Sequence, residues 1–320
     1  MSVVEPLRRA AEAGTTRNRV TALVEAGMDI SKIAVEAGAR RQDLQTWFET
    51  KAPSEKIEQR LAAWLEESDL LQAAESEPDW VETETSARIM AALEFTRKTP
   101  TIGVIHGAAG GGKTKSGRRF QNDVRRRMQN LNDDPVVYYV TAAPHITTSS
   151  SILHAIAGAM NHYACVNAYR NLVFVEEILR KTKPGDLICV DEAQFLEAAA
   201  LDMLRYLYDQ GGIGIAYLGN DALYTRISGK GRRAEFAQLH SRVGMRLHIE
   251  APKEGDVDAF LEAWGISGRT ERDYGQQIAA GPGGLRQLAQ VLRQARLFAR
   301  SMKRPIDQRV MRAAAGALGL

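Results

Sequence analysis

Eight consecutive residues, Gly107-Ala108-Ala109-Gly110-Gly111-Gly112-Lys113-Thr114, have the spacing of a phosphate-binding loop: a glycine, four residues, then Gly-Lys-Thr. Backbone N–H groups of such a turn, backed by a helix N-terminus, surround an anion. Gly107, Gly110 and Gly112 let the backbone close around β- and γ-phosphates. Lys113 brings a point charge to them, and the Thr114 hydroxyl suits Mg2+. ATP with Mg2+ is the ligand this pattern predicts. A second cluster follows, where the apolar run Leu187-Ile188-Cys189-Val190 ends in Asp191-Glu192. Behind a phosphate loop, Asp191 can hold Mg2+ directly or through a water, and Glu192 can orient and polarise the attacking water. A buried strand with a solvated acidic end is the plainer alternative, and the order of the two motifs argues against it. Asn220, at the tip of the run Ile213–Leu218, is placed to feel the γ-phosphate and that water.

These groups need elements to position them. Thr101 to His106 reads as a short buried strand carrying Ile102, Val104 and Ile105, and the residues after the loop can open a helix. Pro135 to Thr141 is a strong strand signal. Helices are expected over about Ser151–His162, Asn167–Lys181 and Leu201–Gln210, the last closed by Gly211-Gly212. Arg246 to Glu250 alternates as a last strand, stopped by Pro252. Strands alternating with helices predict an α/β fold: a mainly parallel, three-layer P-loop sheet domain over residues 80–252. From Asp256 the chain reads as helical, a small C-terminal lid over 253–320. One helix opens at Gly281-Pro282-Gly283-Gly284 and runs to about Met302, and the last spans Ile306 to about Leu318. Thr85 to Thr96 is expected as a helix before the first strand; Trp80, Val81 and Ile89 either lie over an adenine, as such entry segments do in many ATPases of this kind, or are core, and core is the preferred reading.

Residues 1–70 read as all helix. Within them Ile33, Ala37, Leu44 and Trp47 take apolar positions, Ala34 is small where two helices approach, and Gly38 falls at the turn. This resembles a helix-turn-helix. Arg40, Arg41, Gln42, Gln45 and Thr46 would face outward, types suited to phosphates and base edges of DNA. Residues 71–79, acidic with Pro78, read as a linker.

The chain has 320 residues and a net charge of +3, so total charge says little about partners; its distribution says more. From Leu285 onward eight residues are basic and one acidic, and a second basic run, Lys113 to Arg127, follows the phosphate loop. Basic clusters can neutralise nucleic-acid phosphates, and Lys115, Arg118 and Arg119 are candidates on charge alone. Two cysteines, Cys165 and Cys189, make neither a disulfide framework nor a zinc site. No stretch is long and apolar enough to span a bilayer and no secretory signal is evident, so a cytoplasmic location in a bacterial host is the expectation.

Together these pieces resemble AAA+ transposition-helper ATPases of the phage Mu B type. The resemblance rests on Trp80-Val81-Glu82-Thr83, the phosphate loop, Ala168-Tyr169-Arg170-Asn171 and Asp191-Glu192-Ala193-Gln194. It continues through Leu218-Gly219-Asn220-Asp221, Tyr224-Thr225-Arg226 and Phe236-Ala237-Gln238. The Gly110-Gly111-Gly112 triplet departs from most phosphate loops and suggests extra flexibility. The resemblance implies an ATPase that assembles as helical filaments on double-stranded DNA with little sequence preference. It implies delivery of target DNA to a transposase, stimulated strand transfer, transposase-stimulated hydrolysis and target immunity. It puts Asn220 at the first sensor position and Arg286 at the second, touching the nucleotide. It makes Arg242, in a Ser-Arg pair, an arginine finger reaching a neighbouring subunit's site, with Arg226, Arg232 and Arg233 as rivals. It turns Arg170 toward DNA in the filament bore. A helicase-loader-like AAA+ ATPase and a nucleotide-responsive DNA-binding regulator are the alternatives.

Overall fold

The computed structural model describes residues 15–25, 28–49, 54–75, 77–127, 135–160, 171–228, 236–302 and 304–320. They fall into two compact units, one running to Asp79 and including Arg296–Pro305, the other comprising Trp80–Ala295 and Ile306–Leu320.

The first unit holds helices Thr16–Glu25, Ile30–Glu36, Arg41–Glu49 and Glu55–Glu75. Val20, Leu23, Ile33, Ala34, Leu44, Trp47 and Leu61 pack into one core, which fixes the face each helix buries. The Asp29 carboxylate caps the second helix by accepting from the Ser31 N–H at 2.7 Å. Gly38 turns the chain at φ +64°, and Arg60 donates to its carbonyl at 2.7 Å. The fourth helix runs to Glu75, five residues into the stretch expected as a linker. Leu70-Leu71-Gln72-Ala73-Ala74-Glu75 are all good helix formers, and acidity alone does not end a helix.

The second unit is built on a five-stranded sheet ordered β2-β3-β4-β1-β5, with every pair parallel. The strands are β1 (Ile102–Gly107), β2 (Val137–Thr141), β3 (Leu187–Asp191), β4 (Gly214–Gly219) and β5 (Val243–Ile249). Alternation sends their side chains into two cores. Val104, Val140, Ile188, Val190, Ile215 and Tyr217 pack on one face with helices Ser149–Ala159, Asn171–Lys181 and Ala198–Gly211. Ile105, Val137, Leu187, Cys189, Ala216 and Leu218 pack on the other with helices Glu84–Lys98 and Lys113–Arg127. Ile89 lies in this second core, whereas Trp80 and Val81, also expected as core, are only half-buried and stand outside it. Central strands buried on both faces read as unbroken apolar runs, which is why they were legible. Because β4 lies between β1 and β3, Asn220 falls between the phosphate loop and Asp191-Glu192 along the carboxyl edge. Helices Glu254–Ala263, Arg269–Ala279, Gly284–Ser301 and Gln308–Ala317 follow β5. The buried Asp256 carboxylate ties the first of them to helix Glu84–Lys98, accepting from the Thr85 N–H at 2.9 Å and hydroxyl at 2.6 Å.

Candidate active site

The carboxyl edge of the sheet carries a cavity of about 400 Å3. It is lined by Gly107 and Ala109–Lys115, by Asp191, Glu192 and Gln194, by Gly219 and Asn220, and by Phe260, Leu285, Arg286, Ala289 and Arg293. Lys113, Thr114, Asp191, Glu192, Asn220 and Arg286, scattered over 174 positions of sequence, therefore meet at one place.

The glycine triplet is dictated by fit rather than by a need for slack. Gly110 and Gly112 have φ of +76° and +84°, where only glycine is comfortable. A Cβ on Gly110 would stand 1.9 Å from the Gly283 carbonyl oxygen, so the loop meets the Gly281–Gly284 turn backbone to backbone. A Cβ on Gly107 would stand 2.0 Å from the Ile249 carbonyl oxygen at the end of β5.

Lys113 donates to the Gly107 and Ala108 carbonyls at 2.9 and 2.7 Å. Burial pushes its pKa down, while Glu192, Asp191 and Asp221 pull it up and Arg286 pushes it down again. Asp191 is 3% exposed. One of its oxygens accepts from the Tyr139 hydroxyl at 2.8 Å and the other from the Glu192 N–H at 3.0 Å. Burial raises the Tyr139 pKa strongly, so this phenol remains a donor. Glu192 is the one non-glycine residue with positive φ, +53°, among the described residues. That left-handed kink ends β3, starts a short 3-10 turn at Ala193–Phe195 and leaves the carboxylate on the cavity wall. Gln194 donates its amide to Glu192, and its amide oxygen accepts from the Asn220 N–H at 3.4 Å. The Asn220 side chain itself caps helix Asp221–Ile227 through the Ala222 N–H.

Tyr139, Gln194 and Arg293 were missed as site residues. Tyr139 looked like one more aromatic in a strand, and only the β2–β3 register, Thr141 opposite Asp191, brings it to the carboxylate. Arg293 had a signal: it follows Arg286 by seven residues, two helical turns on one face.

The arginine rivals separate clearly. Arg242 stands at the opposite, amino edge of the sheet, immediately before β5, where Val243 is in register with Ile102. From Ile102 to Gly107 the strand climbs about 16 Å, so Arg242 cannot touch its own phosphate loop. Its guanidinium donates to Asp209 at 2.6 Å and to the Gln238 carbonyl at 2.8 Å. Arg226 is engaged within its own chain, donating to the Gln194 and Leu196 carbonyls at 3.0 and 2.8 Å. Arg232 and Arg233 lie outside the described residues, as does Arg170.

Two sequence comparisons place this architecture. A family model described as AAA domain matches residues 96–227, and one described as Mu B transposition protein, C terminal, matches residues 241–318. The ATP-dependent target DNA activator B of Escherichia phage Mu is 31% identical over 287 residues, covering 88% of each chain. This chain belongs to the Mu B transposition protein family. The Mu-like prophage FluMu DNA transposition protein B of Haemophilus influenzae is 33% identical over 267 residues, covering 81% of this chain and 88% of that one. Among solved structures, Aeropyrum pernix ORC1 in complex with DNA matches with a TM-score of 0.58 at 16% identity, over 77% of this chain and 68% of that one. The ADP form of A. pernix ORC2 matches with a TM-score of 0.57 at 18% identity, over 75% and 71%. At such identities these two support the fold alone, the P-loop AAA+ α/β fold.

This Mu B family member is thus an AAA+ ATPase, and its DNA candidates can be placed individually. Arg40, Arg41, Gln42, Gln45 and Thr46 are all exposed on or beside helix Arg41–Glu49, although the Thr46 hydroxyl bonds back to the Gln42 carbonyl at 2.9 Å. Lys115 is exposed at the cavity wall. Arg118 is exposed and stacks over Tyr139, 5.1 Å from its ring centre. Arg119 is half-buried, paired with Asp123 at 2.9 Å and set over Trp80. Its charge is already spent, so it is the weakest of the three. No helix among the described residues is long and apolar enough to cross a membrane.

Proposed function

We propose that this protein is an ATP-dependent, largely non-specific DNA-binding ATPase that assembles as filaments on target DNA, delivers that DNA to a transposase and stimulates strand transfer. The observation that carries the assembly is the separation of Arg242 from its own loop. One subunit supplies Lys113, Asp191, Glu192 and Asn220; Arg242 completes only a neighbour's site. ATP bound in the cavity then favours association, because it gains contacts in the assembly that a lone subunit lacks.

The loop N–H groups and Lys113 hold the β- and γ-phosphates. Arg286 and Arg293 approach from the helix Gly284–Ser301. Glu192, steadied by Gln194, orients a water for in-line attack on the γ-phosphorus and accepts its proton as the bond to the ADP oxygen breaks, giving ADP and phosphate. A neighbour's Arg242 offsets the charge that develops. Thr114 and Asp191 bring hard oxygen donors to one wall, a set that fits Mg2+. Bound there, the ion would neutralise phosphate charge. DNA contacts are assigned to Arg40, Arg41, Gln42, Gln45 and Thr46 as a helix-turn-helix surface and to Arg170 in the filament bore, with Lys115, Arg118 and Arg119 as weaker candidates on charge alone. We assign residues 80–252 to the ATPase core and the following helices to its lid. The site of action is the cytoplasm of the bacterial host, and hydrolysis stimulated by the transposase clears the filament and underlies target immunity.

Electron microscopy with duplex DNA tests the reading. Filaments are expected with ATP and absent without it, with an affinity that falls steeply with salt. Equal coating of DNA in nucleotide-free buffer would overturn it.

A further inference from the structure

Outside the nucleotide cavity, three metal-ligating side chains converge at the tips of three adjacent strands. Asp221 Oδ1 lies 2.8 Å from His106 Nδ1 and 3.4 Å from His248 Nε2, and all three ligand atoms lie within 4.8 Å of one another. The convergence follows from register. His106 on β1 is paired with His248 on β5 and with Gly219 on β4, two residues before Asp221. Residues in register project from the same face of a sheet. The His106 side chain is 10% exposed and lies parallel on Tyr224 at 4.3 Å, which fixes the direction of its Nδ1. His248 is half exposed, leaving an approach from solvent.

We propose that His106, Asp221 and His248 form a binding site for a zinc-class divalent ion. A tetrahedral ion with bonds of about 2.0–2.1 Å separates its ligand atoms by about 3.3 Å, which the 3.4 Å spacing of Asp221 and His248 already matches and which the 2.8 Å hydrogen bond to His106 reaches by opening about half an ångström. Two imidazoles and one carboxylate select Zn2+, Co2+ or Ni2+ over Mg2+, which prefers oxygen. The fourth vertex faces water. None of the three residues lines the nucleotide cavity, yet each is one residue from it or from its support. His106 precedes Gly107, Asp221 follows Asn220, and His248 precedes Ile249, whose carbonyl accepts from the Ala108 N–H at 2.8 Å. A bound ion therefore cross-links the tips of β4, β1 and β5 and fixes Asn220 relative to the phosphate loop. It also cancels the negative field that Asp221 exerts on Lys113.

The test uses metal-stripped full-length protein without an affinity tag, titrated with Zn2+ against a chromogenic zinc chelator in excess Mg2+. One ion per chain is expected at micromolar affinity or tighter. His248→Ala should weaken it at least about tenfold, His248→Asp should recover part of the loss, and His154→Ala should change nothing. Co2+ should give a visible absorption band with the wild type that His248→Ala lacks. Zinc affinity equal in wild type and His248→Ala, or no saturable binding in the presence of Mg2+, overturns the site. ATP-dependent DNA binding by the stripped protein is read separately, so failure here and failure of the filament reading are distinguishable.

Discussion

At the carboxyl edge of the sheet, Lys113, Asp191, Glu192 and Asn220 face one cavity and are held by neutral partners: loop carbonyls, a phenol, an amide and a helix N–H. At the amino edge, Arg242 is held by a full charge, Asp209, and faces away from that cavity. The difference separates two kinds of readiness. Groups that must meet a nucleotide in their own chain are steadied by dipoles that leave their charge unspent. Arg242 is paired with a counter-ion, and Asp209 also pairs with a second arginine, Arg205, at 2.7 Å. If Arg242 serves a neighbour's site as proposed, its release would leave Asp209 paired with Arg205.

The comparison can be broken most decisively at the carboxyl edge. Lys113→Ala should reduce ATP-dependent DNA binding to the nucleotide-free level in a gel-shift assay; binding at the wild-type level would remove the switch. Glu192→Gln should keep assembly but cut turnover by about 10³-fold, leaving filaments trapped on DNA; wild-type turnover would show that another group orients the water. Arg242→Ala should cut turnover by about 10²-fold while a lone subunit still binds ATP. Mixing it with Glu192→Gln sharpens the point. Some interfaces then pair an intact Glu192 with a neighbour's intact Arg242, so activity should exceed that of either variant alone. No recovery would return Arg242 to a structural role. Gln194→Ala should lower kcat by about fivefold with nucleotide affinity unchanged, the effect of one lost hydrogen bond of roughly 1 kcal/mol.

The smallest effect lies away from both edges, at Asp256. Its burial works to raise the carboxyl pKa, but hydrogen bonds from the Thr85 hydroxyl and N–H and the Lys253 N–H outweigh that and hold it below the ordinary value. A depressed folded pKa contributes stability above the unfolded value and loses it as pH falls through the folded one. Asp256→Asn should therefore lower Tm at neutral pH by about 5 °C. The gap from wild type should narrow below about pH 4. A gap independent of pH would assign the loss to packing.

What the sequence made legible shares a physical cause. The phosphate loop, the Asp191-Glu192 pair and Asn220 each sit where an apolar run ends, and a buried parallel strand ends where its ligand-facing loop begins. Tyr139, Gln194 and the Gly283 turn act through contacts between elements distant in sequence, which no local pattern encodes. Arg119 is instructive in another way. Asp123 four residues on was visible, and an i,i+4 ion pair competes with DNA for the same charge. The stretch after Leu70 misled because an acidic, helix-forming segment and an acidic linker share a composition and differ only in propensity.

Where Gly110 rests on the Gly283 carbonyl, no side chain cushions the two strands of backbone. Side chains can rotate to absorb a displacement of a few tenths of an ångström; peptide planes in direct contact cannot. A triphosphate that shifted the loop would thus be expected to press on the start of helix Gly284–Ser301, which carries the cavity-lining Arg286 and Arg293. Such a contact would act as a stiff lever, tying occupancy of the loop to the position of the two arginines above it.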